Sequence, residues 1–198
     1  VTGSIRPAGG AGRRVLVVAA SAAEAAHVPA GYDVLVTGMG KVAAATALAR
    51  RLGALEARDG LAGLTVVNLG TAGSLHDHHE GLFEPGAVLN HDLSADALRA
   101  LGEDPRERLT VSESPVVLAT GDVFVTDPVA RARLAEQADL VDMEGYAIAF
   151  VADAFAVPVH LVKHVSDNAD DSAHDWTSVV DASARVLAAH LVATYPLV

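Results

Sequence analysis

The chain has no cysteine among its 198 residues. That excludes a disulfide framework, a thiolate metal site and a cysteine nucleophile. Basic residues are scarce: 14 lysines and arginines stand against 25 aspartates and glutamates, for a formal net charge of -11. Such a field repels phosphate backbones and acidic lipid surfaces, so neither nucleic acid nor a membrane is an expected partner. Long hydrophobic runs are also missing. No stretch approaches the roughly 20 apolar residues of a membrane-spanning helix, and the opening VTGSIRPAGGAGRR lacks the apolar middle of a signal peptide. The expected location is the cytoplasm, with residues 1–12 as a flexible N-terminal tail.

What is present is a chain 51% hydrophobic, enough to bury one sizeable core, so residues 13–198 are expected to form a single domain. Apolar runs of four to eight residues alternate with longer Ala-rich stretches, the rhythm of an α/β fold. Strands are expected at Val15 to Ala20, Asp33 to Thr37, Leu64 to Leu69, Ala87 to Asn90, Val116 to Thr120, Leu140 to Asp142 and Val157 to Val165. Most are continuous apolar runs, which suits strands covered on both faces. Helices are expected at Lys41 to about Ala57, Pro128 to about Ala138, Glu144 to about Phe155 and about Trp176 to Thr194. Asp127-Pro128 reads as an N-cap followed by proline at the first helical position. Between Ser94 and Ser114 the chain is polar, with a short helix at Ala95 to Leu101 at most.

Open α/β sheets gather ligands at the carboxyl ends of their strands. Four turns expected there carry unusual residues. The first, Thr37-Gly38-Met39-Gly40-Lys41, matches a dinucleotide fingerprint as Gly38-x-Gly40-x-x-Ala43, with Asp59 further on. The lining of a different pocket is the preferred reading, ahead of a plain tight turn and of the fingerprint, since the turn follows the second strand and Val42 stands where a phosphate loop has Ser or Thr. The second, Gly70-Thr71-Ala72-Gly73, reads as a nest of backbone N–H groups or as a strand-to-loop connection needing positive φ. Gly121-Asp122-Val123-Phe124 is the third. In the fourth, Asp142 and Glu144 share a face if extended, and Asp167 ends the longest apolar strand as a helix cap or a partly buried acid.

Together, VTGMGKVAAA at Val36 to Ala45, NLGTAGSL at Asn68 to Leu75, GDVFV at Gly121 to Val125, VDMEGYAIA at Val141 to Ala149 and VSDNADD at Val165 to Asp171 resemble the ordered motifs of the nucleoside phosphorylase and nucleosidase superfamily. The branch they are most similar to is the 5'-methylthioadenosine/S-adenosylhomocysteine nucleosidases. The resemblance implies a three-layer α/β/α domain around a twisted mixed sheet, a homodimer, a purine nucleoside as ligand, and no cofactor or metal. It also implies roles. Asp167 matches the acid that protonates purine nitrogen 7, with Ser166 supporting it; the apolar strand before it favours the protonated form by desolvation. Glu144 matches the acceptor of the ribose hydroxyls, beside an oxocarbenium-like transition state that its charge would favour. Met143 would pack under the sugar, Phe124 stack on the base, and the Val125 backbone read the adenine edge. Thr71, Ala72, Gly73, Met39 and Asp142 complete the implied binding set. Glu24 aligns with the carboxylate that deprotonates the attacking water; without the resemblance it is equally a solvated Glu in a first turn.

Hydrolysis is expected over phosphorolysis. Phosphate needs fixed cations, usually bidentate arginine, and neither Asn68-Leu69-Gly70-Thr71 nor Ser21 to Val28 contains one. Four departures stand out against the family pattern. The segment from Glu24 to Val36 is shorter, lacking a longer helix and an extra pair of strands. Asp142 stands where Glu is commoner, shortening its reach toward the 2'-hydroxyl. Ser21 and the aromatic-poor stretch Leu93 to Leu109 leave the 5' specificity open. The loop His76-Asp77-His78-His79-Glu80 reads as a solvated acidic loop ahead of a metal site. His164 and His174 read as packing or capping residues, and Trp176 as either a lid on the 5' end or part of the core.

Overall fold

Strand β1 (Arg14–Ala19) shows why a sheet covered on both faces forms here: Leu16 and Val18 point to one side and Val17 to the other, all fully buried. A computed structural model describes residues 14–169 and 176–197, with the side chains of 176–178 outside it. The expected tail at 1–12, Asp170, Asp171, His174 and the Trp176 side chain lie outside the described residues. The remaining strands are β2 (Asp33–Val36), β3 (Leu64–Ser74), β4 (Leu82–Phe83), β5 (Ala87–Asn90), β6 (Arg108–Thr110), β7 (Val117–Thr120), β8 (Leu140–Asp142) and β9 (Val159–Asp167). The helices are α1 (Lys41–Asp59), α2 (Ala95–Ala100), α3 (Pro128–Ala135), α4 (Gly145–Ala154) and α5 (Trp176–Thr194).

The nine strands form one mixed sheet in the order β2-β1-β3-β8-β7-β5-β6, with β9 pairing β3 and β4 off that path. Strand β3 is the branch point. Its first half runs parallel to β1 and its length runs parallel to β9, while Gly73 and Ser74 pair antiparallel with β8. Helices α1 and α4 cover one face. Ala44, Leu48, Leu52 and Leu55 recur at helical spacing on α1 and meet Ile148 and Val151 of α4 over Leu16, Val18 and Val66. On the other face Leu187 and Leu191 of α5 pack on Val17, Val67 and Val162. Truncating any of these buried leucines to alanine costs about 2–5 kcal/mol. The layering is the α/β/α arrangement expected from the sequence, and among the described residues no helix is long and apolar enough to cross a membrane.

Helix α3 begins as its sequence dictates, with the Asp127 carboxylate accepting from the Ala130 N–H at 3.0 Å and proline in the first turn. Two short strands, β4 and β6, were not expected. The larger correction concerns Gly70-Thr71-Ala72-Gly73, which is not a turn: β3 continues through it to Ser74, and neither glycine has positive φ. Pairing with β9 keeps the run extended, with a register shift between Ala72 and Gly73.

Candidate active site

Where the carboxyl ends of β1, β2, β3, β7, β8 and β9 meet, a cavity of about 470 Å³ opens, a size that suits a nucleoside-sized ligand. Glu24 and Ala20 reach it from the turn after β1, and Met39 from the turn after β2. Thr71, Ala72 and Gly73 line it from the extended end of β3. Val123, Phe124 and Val125 come from the β7–α3 turn, Val141, Asp142, Met143 and Glu144 from the β8–α4 junction, and Ser166 and Asp167 from the end of β9. The catalytic and binding residues that the resemblance implies are therefore brought together; Ala20, Val123 and Val141 are additions that packing supplies.

Each carboxylate is held differently. Glu24 is buried, with Oε1 accepting from the Thr71 N–H at 2.9 Å and Thr71 Oγ1 at 3.1 Å. Its Oε2 accepts from the Ser21 N–H and Oγ, both at 3.1 Å. Asp167 Oδ2 accepts from Ser166 Oγ at 2.7 Å and Oδ1 from the Ala169 N–H at 2.8 Å. Glu144, 8% exposed, accepts the Gly40 N–H at 2.7 Å. Burial pushes the Glu144 carboxyl up to about 7; the charges of Asp142 and Glu24 add to this, while Lys163 and the Gly40 N–H oppose it.

Lys163 is the residue that sequence reasoning missed. It sits in β9 with its side chain 1% exposed, its Nζ 2.8 Å from Asp142 Oδ2. Burial alone would lower its pKa, but attraction to Asp142, Glu144 and Glu24 raises it. Asp142 is thus turned into a buried network, accepting also from Thr120 Oγ1 at 2.6 Å and the Gly145 N–H at 2.8 Å. Three donors thus engage Asp142, which also lines the cavity. A lone lysine inside the apolar run Leu161-Val162-Lys163 was the available signal, because a buried ammonium demands a carboxylate.

The glycines of β3 serve close approach. A Cβ on Gly70 would lie 3.0 Å from Lys163 Nζ and 3.3 Å from Glu24 Oε1; one on Gly73 would lie 2.9 Å from Asp167 Oδ1. Only glycine lets these charged groups gather along one strand. In the β2–α1 turn, by contrast, Gly38 and Gly40 have φ of 87° and 89°. The N–H groups that a bound phosphate would need there are taken, Gly40 by Glu144 and Lys41 by Asp122 at 2.8 Å. The dinucleotide alternative for this turn is accordingly set aside in favour of a pocket lining.

Outside the cavity, His76, His78 and His79 stack on one another with ring centroids 4.3 to 5.6 Å apart. Among the described residues no three His, Asp or Glu side chains converge as a metal site. His164 Nδ1 lies 3.0 Å from Ser183 Oγ of α5, a packing contact.

Comparison with known proteins bears on this geometry. A family model described as the phosphorylase superfamily matches residues 81–195. The aminodeoxyfutalosine nucleosidase of Helicobacter pylori is 29% identical over 69% of this chain and 60% of its own length. The corresponding Campylobacter jejuni protein is 32% identical over 47% and 42%. This chain thus spans less than two thirds of those relatives. The 5'-methylthioadenosine/S-adenosylhomocysteine nucleosidase of Shewanella denitrificans is 32% identical over 76% of both chains. Among solved structures, the Streptococcus pneumoniae MTA/SAH nucleosidase in complex with 8-aminoadenine has a TM-score of 0.76 at 22% identity, covering 93% of this chain and 100% of that one. With more than half of the chain matched by the family model and the Shewanella relative aligned over most of both lengths, the protein belongs to the phosphorylase superfamily.

Proposed function

We propose that the chain hydrolyses the N-glycosidic bond of a purine nucleoside, with adenine as the base and 5'-methylthioadenosine or S-adenosylhomocysteine as candidate substrates. The observation that carries this reading is the placement of Glu24, Glu144 and Asp167 around one largely apolar cavity with Phe124 on its wall and, among the described residues, no arginine or lysine in its lining. Asp167 passes a proton to nitrogen 7 as the bond from the anomeric carbon to nitrogen 9 breaks, so the bond's electron pair leaves with a neutral base. Water attacks the anomeric carbon and gives a proton to Glu24; solvent then restores both groups. Glu144, ionised, accepts from the sugar hydroxyls and favours the positive charge building on the ring.

Glu24 beside the sugar face repels a phosphate nucleophile as well as activating water, which favours hydrolysis. The curated relatives carry two substrate names, aminodeoxyfutalosine and methylthioadenosine/adenosylhomocysteine. The 5' substituent is therefore assigned by assay. We also propose a homodimer, supported by the exposure of Met39, Val123 and Phe124 at the cavity wall and of Val42 on α1, each at least half exposed.

The test is release of free base from adenosine, 5'-methylthioadenosine, S-adenosylhomocysteine and inosine, with and without phosphate. Free base and free sugar in phosphate-free buffer are expected. An absolute need for phosphate, with the sugar 1-phosphate as product, overturns hydrolysis. Sedimentation of the same preparation decides the dimer.

A further inference from the structure

We infer that Lys41, Asp92 and Asp122 form a polar clamp that fixes the two apolar walls of the cavity mouth, making Lys41 a positioning residue for nucleoside affinity. The inference rests on the nucleosidase reading for its kinetic consequence, though not for its structural one. The walls in question are the Met39 turn after β2 and the Phe124 turn after β7. Met39 is 58% exposed, Val123 65% and Phe124 50%, so the core gives these side chains little cover. Polar links join the backbones that carry them.

Those links join three turns at the carboxyl ends of β2, β5 and β7. The Asp122 N–H donates to Asp92 Oδ2 at 2.8 Å, tying the Phe124 turn to the end of β5. Asp122 Oδ1 accepts from the Lys41 N–H at 2.8 Å, tying the same turn to the start of α1. Lys41 Nζ donates to Asn90 Oδ1 at 2.8 Å and to Asp92 Oδ1, and lies 3.9 Å from Asp122 Oδ2. One ammonium thus sits between two carboxylates, with Lys41 and Asp92 largely withdrawn from water. Asp92 is held below its ordinary pKa: burial acts the other way, and its bonds from Lys41 and the Asp122 N–H outweigh it.

The first N–H groups of α1 close the circuit. Gly40 donates to Glu144 and Lys41 to Asp122, so the positive end of the helix is capped by one carboxylate from the sugar side and one from the base side. A Cβ on Gly40 would come within 3.0 Å of Asp122 Oδ1, so the approach is tight. Without the Lys41 ammonium, Asp92 and Asp122 face each other as like charges. The Phe124 turn then moves off, and with it the surface against which a base would rest.

The experiment measures amide exchange over residues 121–126 together with steady-state kinetics in Lys41→Met, Lys41→Arg and Lys41→Met/Asp92→Asn. Lys41→Met is expected to speed exchange in that segment and raise KM, each about tenfold, with kcat within about threefold. Lys41→Arg keeps the charge and is expected to stay near wild type. Adding Asp92→Asn removes the like-charge repulsion and is expected to recover part of the KM. Unchanged exchange and KM in folded Lys41→Met overturns the clamp, as does a parallel fall in kcat and melting temperature with KM unmoved. If wild type cleaves no nucleoside the nucleosidase reading fails, and exchange still decides the clamp. Should Lys41→Met not fold, Asp122→Asn takes its place, with faster exchange across 38–41 expected and unchanged exchange overturning the inference.

Discussion

Glu144 ties stability to function in opposite directions across neutral pH, and replacing it with glutamine separates the two. The carboxyl is raised from an ordinary 4.5 to about 7 in the folded protein, first by burial and then by the charge of Asp142. The folded protein therefore binds this proton more tightly than the unfolded chain does. Its contribution to stability is fully present below about 4.5 and is lost as pH rises toward and through 7. A rise of that size corresponds to on the order of 3 kcal/mol. In Glu144→Gln, which keeps an oxygen for the Gly40 N–H, denaturant unfolding from pH 4.5 to 8 is expected to lack that loss. Its stability relative to wild type should climb by on the order of 3 kcal/mol across the range. Activity moves the other way. If ionised Glu144 accepts the sugar hydroxyls, wild-type kcat/KM rises with pH through about 7, and nucleoside binding at that pH releases about half a proton per site. Calorimetry in buffers of different ionisation enthalpy reads that release. Parallel stability curves for wild type and variant would refute the assignment of the raised group to Glu144.

Lys163→Met leaves Asp142 buried without its cation and is expected to cost about 3–5 kcal/mol of stability, most of it recovered by adding Asp142→Asn, as denaturant unfolding will read. Gly73→Ala puts a methyl group 2.9 Å from Asp167 Oδ1; turnover is expected to fall by about tenfold or more through displacement of that acid, with a stability loss of about 1–3 kcal/mol. Asp167→Asn keeps the shape but delivers no proton, so kcat is expected to drop on the order of 10²-fold, whereas Glu24→Gln should bind nucleoside intact and lose mainly turnover.

The layers and the turns were legible in the sequence because they rest on local signals: helical spacing of Ala44, Leu48 and Leu52, the Asp127-Pro128 cap, and short apolar runs. The end of β3 was not. Gly70-Thr71-Ala72-Gly73 has the composition of a turn, and pairing with β9, almost a hundred residues on, and at Gly73 with β8 keeps it extended. The Asp142–Lys163 pair was hidden for a related reason: its partners lie on separate strands, β8 and β9, that tertiary pairing brings to either side of β3. The Ser21-x-x-Glu24 spacing was a local signal for the Glu24 turn, but the bond from the Thr71 N–H is one that no spacing rule connects to it.

The short segment between Glu24 and Val36 tests how far a site depends on its scaffold. The family resemblance implies a longer helix and two more strands there, and losing them could have carried Glu24 away from the cavity. The geometry explains why it does not. The Glu24 turn closes on itself within four residues, its N–H accepted by Ser21 Oγ at 3.2 Å while its carboxylate takes the Ser21 N–H. Beyond it the chain makes turns over residues 22–27, and His27 Nε2 meets Asp181 Oδ1 of α5 at 2.7 Å before the chain enters β2. The carboxylate is thus fixed by its own turn and by β3, neither of which the shortening touches. Strand β2 lies at the sheet edge with Val34 and Val36 38% and 47% exposed, a strip that water or another surface must meet. The short segment thus leaves a partly exposed edge beside it, while Ser21 and Thr71 keep the Glu24 carboxylate at the cavity.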